Sequence, residues 1–314
     1  MKRDKKSKFT SIGGQALIEG IMMRGPQKSA MAVRHISGEI REKVWDTETA
    51  PKIAKIPFVR GVVNFVLSMI VGYRCMLQSV ELSGMEEEIA ETKPAEGENK
   101  SPLMAVISVV SMVLGVALAL VLFMWLPTVL SGWLRNCFPA LEGDAWFARL
   151  FRGGFEGVLK IALFVGYVAV ISLMKDIRRV FQYHGAEHKT IFCFEAGLPL
   201  TVENVRKQSR FHPRCGTSFM ILMLVVGVVV SMLIPADIAT VWRTVLKVLS
   251  VPLIMGIGYE LLKIAGKYDN VVTRVISAPG QWVQRLTTKE PDDEMIECAI
   301  VAMERVIPEN EVDA

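Results

Sequence analysis

The stretch Tyr183-His-Gly-Ala-Glu-His-Lys-Thr190 places His184, Glu187 and His188 at i, i+3 and i+4. On a helix that spacing gathers all three side chains on one face. Two imidazoles four residues apart can hold one metal ion, and a carboxylate beside them can take a proton from water activated there. Further along, His212-Pro-Arg-Cys215 offers a second ligand pair at i, i+3, and three of the four histidines in the chain lie in these two clusters. His-x-x-Glu-His is the inverted form of the metallopeptidase helix motif. In a hydrolytic site, His184 and His188 bind a divalent metal, zinc being the expected ion. His212 or Cys215 completes the set, and Glu187 is the base. If His184, His188, His212 and Cys215 all ligate, the tetrahedron is closed and structural, and Glu187 instead orients an imidazole. Both arrangements remain open at this stage, with Cys193 and Glu195 as spare ligands.

The surroundings of these clusters are apolar. The 314 residues are 51% hydrophobic, with a mean hydropathy of +0.36, too high for an ordinary soluble enzyme. Uncharged runs reach the ~20 residues that a bilayer-spanning helix needs. Net charge is +4. The basic tail 1–10 is not followed directly by an apolar run, so it is not a cleavable signal peptide. The five cysteines form no evenly spaced framework, which favours reduced thiols on a cytoplasmic face. No phosphate loop, dinucleotide fingerprint or nucleic-acid motif is present, so no specific nucleic-acid partner is expected.

Taken in order, residues 11–55 read as a β-rich unit with a hairpin around Ser37-Gly38. Within it, Gly14–Gly25 is almost wholly apolar and reads as a buried strand whose two charges, Glu19 and Arg24, pair; the functional alternative sets one of them against the metal region. Residues 56–80 read as an amphipathic helix, expected to lie in the membrane interface or to pack against the bundle. Residues 81–102 are an acidic, solvated linker. Transmembrane helices are expected at 103–130, ending near Pro127, at 157–174, where Lys160 snorkels, at 216–234, and at 241–264, interrupted by Pro252 and Gly256-Ile-Gly258. The metal segment 175–215 opens with Lys175-Asp-Ile-Arg-Arg179, which closes the second span. Region 265–314 is a cytoplasmic helix region, with a helix start at Pro291-Asp-Asp-Glu294 and an apolar stripe of Met295, Ile296, Ala299, Ile300 and Met303. Eight basic residues lie between Lys175 and Arg214, which puts that segment, and both termini, on the cytoplasmic side. The expected fold is thus a polytopic α-helical membrane protein: four transmembrane helices, an interfacial helix, and a small mixed α/β cytoplasmic lobe built from 11–55, 178–214 and 268–310.

Two polar features stand apart. Glu260 reads as an end-charge that snorkels, pairs with Lys263 or reaches the site. The basic run Arg206–Arg214 could meet anionic lipid headgroups.

Several of these segments resemble one family. Gly14-Gln-Ala-Leu-Ile-Glu-Gly-Ile-Met-Met-Arg-Gly-Pro26, Tyr183–Thr190, Leu200-Thr-Val-Glu-Asn-Val-Arg206, His212-Pro-Arg-Cys-Gly-Thr-Ser-Phe219 and Glu290-Pro-Asp-Asp293 resemble the YqhQ-like bacterial membrane proteins, domain-of-unknown-function family 1385. The resemblance implies a bacterial plasma-membrane protein and a metal-dependent enzyme without an established substrate. Three functions follow as expectations: a zinc-dependent hydrolase at the inner leaflet, with a peptidase as its specific form; a metal-stapled scaffold docking a membrane-protein biogenesis or translation partner; and, more weakly, a transporter or lipid-handling protein with its path near Glu260 and Pro252.

Overall fold

The computed structural model describes residues 10–49, 51–85, 102–137, 146–234, 238–267 and 270–308. The basic start, most of the acidic linker, the loop 138–145 and the turn 235–237 lie outside the described residues. Four strands, β1 (Gly13–Leu17), β2 (Gly20–Arg24), β3 (Lys28–Arg34) and β4 (Ile40–Asp46), form an antiparallel meander in that order. The helices are α1 (Val59–Ser83), α2 (Pro102–Leu120), α3 (Leu126–Cys137), α4 (Trp146–Ile171), α5 (Lys175–Glu195), α6 (Val202–Arg206), α7 (Gly216–Leu233), α8 (Thr240–Leu249), α9 (Val251–Lys267), α10 (Val271–Thr287) and α11 (Asp293–Glu304).

Side chains alternate between the two faces of a sheet. Ile21, Met23, Ala30 and Ala32 therefore pack with Tyr183, Ala186 and Ile191 of α5 and with Met295, Ile296, Ala299 and Met303 of α11. Leu17, Met22, Met31 and Val33 face the other way, onto Val71, Cys75 and Leu82 of α1. Burial on both faces explains the unbroken apolar run in this part of the sequence. The expected single strand 14–25 is in fact a hairpin. Glu19 takes a left-handed turn conformation at φ 50°, and a side chain at Gly20 would meet the Val33 backbone. Glu19 and Arg24 do not pair: Glu19 binds Arg179 at 2.5 Å, and Arg24 donates to the Glu48 carbonyl at 3.0 Å.

Among the described residues, Val59–Ser83, Val113–Leu134, Leu150–Ile171 and Gly216–Leu233 are long and apolar enough to cross a membrane. The pair Thr240–Leu249 and Val251–Ala265, bent by 44°, makes a fifth if it counts as one span. Four expectations change here. Pro127 does not end its helix: a widened π-helical turn, Val121–Trp125, precedes it, and the chain runs on helically to Cys137. Proline removes a donor and crowds the carbonyl four residues back, which a wider turn relieves. Lys175–Arg179 opens α5 instead of closing α4, with Asp176 in its first turn. Lys160 pairs with Glu156 at 3.1 Å instead of snorkelling. Glu260 accepts from Arg60 Nε at 2.7 Å and from the Phe58 amide at 3.2 Å, tying α9 to α1.

Region 265–314 holds α10 as well as α11. Thr273, Ser277, Gly280, Gln284 and Thr287 of α10 are buried, and a Cβ at Gly280 would strike Ser218 of α7. Small and polar residues thus turn inward, while Val271, Val275 and Trp282 stay exposed.

Candidate metal centre

α5 carries His184, Glu187 and His188 on one face, as the i, i+3, i+4 spacing requires. Cys215 comes from the extended residue that caps α7, and its Sγ accepts from the Thr217 amide at 3.4 Å. One ligand atom each from His184, His188 and Cys215 lies within 4.8 Å of the others, and His184 Nε2 stands 3.1 Å from Cys215 Sγ.

Both rings are held from behind. His184 Nδ1 lies 2.8 Å from the Thr287 carbonyl and His188 Nδ1 lies 2.6 Å from that of Arg210. A carbonyl only accepts, so each Nδ1 carries a proton, and Nε2 is the nitrogen each ring has left for a metal. Nε2 of His188 and Oε2 of Glu187 are buried without a hydrogen-bond partner among the described residues. A buried imidazole nitrogen and a buried carboxylate oxygen without partners, side by side with a thiol, are groups that a bound cation would satisfy. Two imidazoles and a thiolate suit a borderline-soft divalent ion, zinc above all, so the residues fit the metal expected from the sequence.

His212 is adjacent to this cluster and not within it. Its ring centroid is 5.6 Å from that of His188 and 4.6 Å from that of Phe192, and its Nε2 lies 3.7 Å from Glu195 Oε2. Glu195 also binds Arg214 and the Thr10 amide. Cys193 is buried in the core beside the Leu198 and Pro199 carbonyls. The structure therefore brings together His184, His188 and Cys215, with Glu187 alongside. His212 and the two spare residues face elsewhere.

Electrostatics follow from burial and charge. Burial alone would lower the His184 pKa, but the Cys215 thiolate, Glu187 and the Thr287 carbonyl outweigh it and raise the pKa to about 9. Burial would raise that of Cys215, yet the two imidazoles draw it well below the ordinary thiol range. Burial wins at Glu187, which is raised despite His184, His188 and a hydrogen bond from the Gly14 amide. Gly14 is required there: a Cβ would stand 2.9 Å from both Glu187 Cδ and the Met22 carbonyl. Across β1 from Glu187, Gly14 also lines a cleft of about 430 Å³ between the sheet and α1.

The remaining motifs hold the frame. Gln284 grips the His212 backbone in both directions, at 2.8 and 2.7 Å, and reaches Ser218 at 3.1 Å. Lys189 and Arg210 converge on Glu290 at 2.9 and 2.7 Å. Arg206 pairs with Asp293, Lys207 with Glu203 and Arg214 with Glu195. Every cation of the basic run 206–214 thus has a carboxylate of this chain beside it. Thr287, Gln284, Gly14 and the Arg210 carbonyl carried no sequence signal as site residues, because a backbone carbonyl or amide can come from any residue type.

Residues 56–309 match the family DUF1385, described as a protein of unknown function. The chain is 35% identical over 303 residues to the uncharacterized protein YqhQ of Bacillus subtilis (strain 168), which takes in 95% of this chain and 92% of that protein. No solved structure matches.

Proposed function

The chain belongs to this family of unknown function, DUF1385, and from that premise we propose a metal-dependent hydrolase at the cytoplasmic surface of the bacterial plasma membrane, with a peptidase acting on membrane-proximal segments as its specific form. The observation that carries it is a three-residue ligand set, His184, His188 and Cys215, beside a buried Glu187 whose Oε2 has no hydrogen-bond partner among the described residues. Three protein ligands leave a position open, whereas structural zinc sites use four.

His184, His188 and Cys215 would hold the ion. Zinc, when bound, supplies Lewis acidity that polarises a carbonyl and makes water more acidic. The chain's residues do the rest. The Thr287 and Arg210 carbonyls fix the two rings in the tautomer that ligates. Glu187, its pKa raised by burial, sits nearer to neutral as a base and can hand its proton to the leaving group. The Gly14 amide holds the carboxylate from the other side.

Four spans, 113–134, 150–171, 216–233 and the bent pair 240–265, keep the His-bearing segment and both termini cytoplasmic under the positive-inside rule. Helix α1 would lie at the interface. Its second half docks on the sheet, where Gly72 meets Gln15 and Ser79 accepts from the Ile18 amide at 3.2 Å, which supports that placement. The sheet, α5 and α11 would then form the cytoplasmic lobe.

A second reading draws on burial: His188 is 1% exposed and Glu187 5%. On that reading the ion is structural and the lobe docks a membrane-protein biogenesis partner. The separating experiment uses Glu187→Gln. Hydrolysis predicts that the variant keeps its metal and loses turnover of membrane-proximal peptides. Undiminished turnover, or loss of the metal along with it, removes Glu187 as the base.

A further inference from the structure

A second polar cluster lies inside the helical bundle, and no motif in the sequence announced it. Glu156 of α4, 2% exposed at its side chain, is ringed by Lys247 of α8, 3% exposed, and by Lys160 and Arg243, each 12% exposed. Glu156 Oε1 accepts from the Lys247 ammonium, from Lys160 at 3.1 Å and from the Thr128 hydroxyl at 3.3 Å. Its Oε2 faces Arg243 Nη2 at 3.5 Å. Lys247 also donates to Thr128 at 2.7 Å.

Charge does not balance there. Three cations meet one carboxylate, leaving two positive charges over among the described residues. Unpaired buried charge costs several kcal/mol per ion. Arg243 Nε is moreover buried without a hydrogen-bond partner among the described residues. A guanidinium and an ammonium with donors to spare form a fork for a tetrahedral oxyanion.

Position narrows the class of anion. Gly153 and Gly157 of α4 pack against Met232 and Val228 of α7, toward the end of α7 opposite Cys215. Thirteen residues of helix separate Val228 from Cys215, or about 20 Å. Along α8, Arg243 and Lys247 turn inward at i, i+4, while Val241, Trp242, Val245 and Leu249 are exposed. An apolar outer face with a tryptophan near the helix end is the pattern of a membrane interface, the depth at which lipid phosphates lie.

The geometry points to an anion site at which Lys160, Arg243 and Lys247 bind a phosphate group at the bilayer face opposite the metal centre. The ligand is a phospholipid headgroup or free phosphate, and only the lipid source rests on the proposed membrane placement. The test uses the full chain purified in a neutral detergent. Saturable binding of short-chain phosphatidylglycerol and of inorganic phosphate is measured on wild type, Arg243→Gln, Lys160→Gln and, as a control on the other face, Arg206→Gln. One charge-assisted contact removed is expected to weaken binding about tenfold in the first two variants and leave the control unchanged. Lipid binding alone assigns the headgroup; equal dependence with inorganic phosphate assigns the free ion and leaves the site standing without the lipid. Absence of saturable binding of either probe to wild type, which needs no variant to fold, overturns the site. Binding that is indifferent to both bundle variants overturns it too. His184→Ala should leave this binding intact, so failure of the metal centre and failure of the anion site are told apart.

Discussion

Gly185 stands between the two histidines of α5, and replacing it with alanine tests how the site is held. A Cβ there would collide with the Lys289 carbonyl oxygen, with the carbonyl carbon 3.2 Å and Pro291 Cδ 3.4 Å away. The obstacle is backbone and cannot rotate aside, so the 287–291 segment must shift as a unit by about 1 Å. Besides the Lys189–Glu290 ion pair, three hydrogen bonds accepted by backbone carbonyls tie that segment to α5: Lys289 N to the Phe181 carbonyl at 2.8 Å, Gln182 to the Glu290 carbonyl at 3.1 Å, and His184 Nδ1 to the Thr287 carbonyl at 2.8 Å. A 1 Å shift takes such bonds past their ~3.2 Å limit. At about 1 kcal/mol each, the loss is about 3 kcal/mol. His184 then loses the carbonyl that fixes its tautomer, which weakens metal affinity about 10- to 100-fold. Competition with a chelator, wild type beside Gly185→Ala, measures this. A variant that binds metal as tightly as wild type would refute the claim that Thr287 orients His184.

Further expectations concern the same frame. Gln284→Ala removes a fully buried clamp and leaves the His212 amide and carbonyl unpaired, a loss of about 1–3 kcal/mol for each buried group in a denaturation experiment; an unchanged midpoint would contradict it. In metal-free protein, Cys215 should absorb in the ultraviolet as a thiolate at neutral pH, and His184→Ala should return its titration toward the ordinary thiol value of 9.0. The depressed Cys215 contributes stability that is complete above 9.0 and is lost as pH falls through its folded value. The raised His184 contributes stability that is complete below 6.5 and is lost as pH rises to about 9. Where the two windows overlap the trends oppose each other, so this pair adds little slope there.

Much of the candidate site was legible because helical spacing is a geometric rule: residues at i, i+3 and i+4 had to share a face of α5. Cys215 could be proposed as a ligand by residue type, but nothing local distinguished it from His212. Its choice depends on the turn of the 212–215 loop, which Gln284 and the Glu195–Arg214 pair fix from distant parts of the chain. The α11 stripe was readable for the same reason as α5, with Asp292 capping the helix by accepting from the Met295 amide at 2.9 Å. Helix α10 was not readable, because its buried face is polar and small and its exposed face apolar, the reverse of a soluble amphipathic helix. The Glu156 cluster was hidden differently: Lys160, Arg243 and Lys247 are separated by up to 87 residues and meet only in the fold, around Glu156. Gly14 read only as the start of a buried strand, yet its role is to let the Glu187 carboxylate approach that strand.

Metal content decides the central claim most directly, measured on protein purified from metal-supplemented growth, with X-ray absorption to identify the ligands. About one divalent ion per chain is predicted, with two nitrogen ligands and one sulfur from the protein. It should be lost in His184→Ala, His188→Ala and Cys215→Ala and kept in His212→Ala. Wild-type protein without metal, or a His212→Ala variant emptied as fully as His184→Ala, would contradict the account.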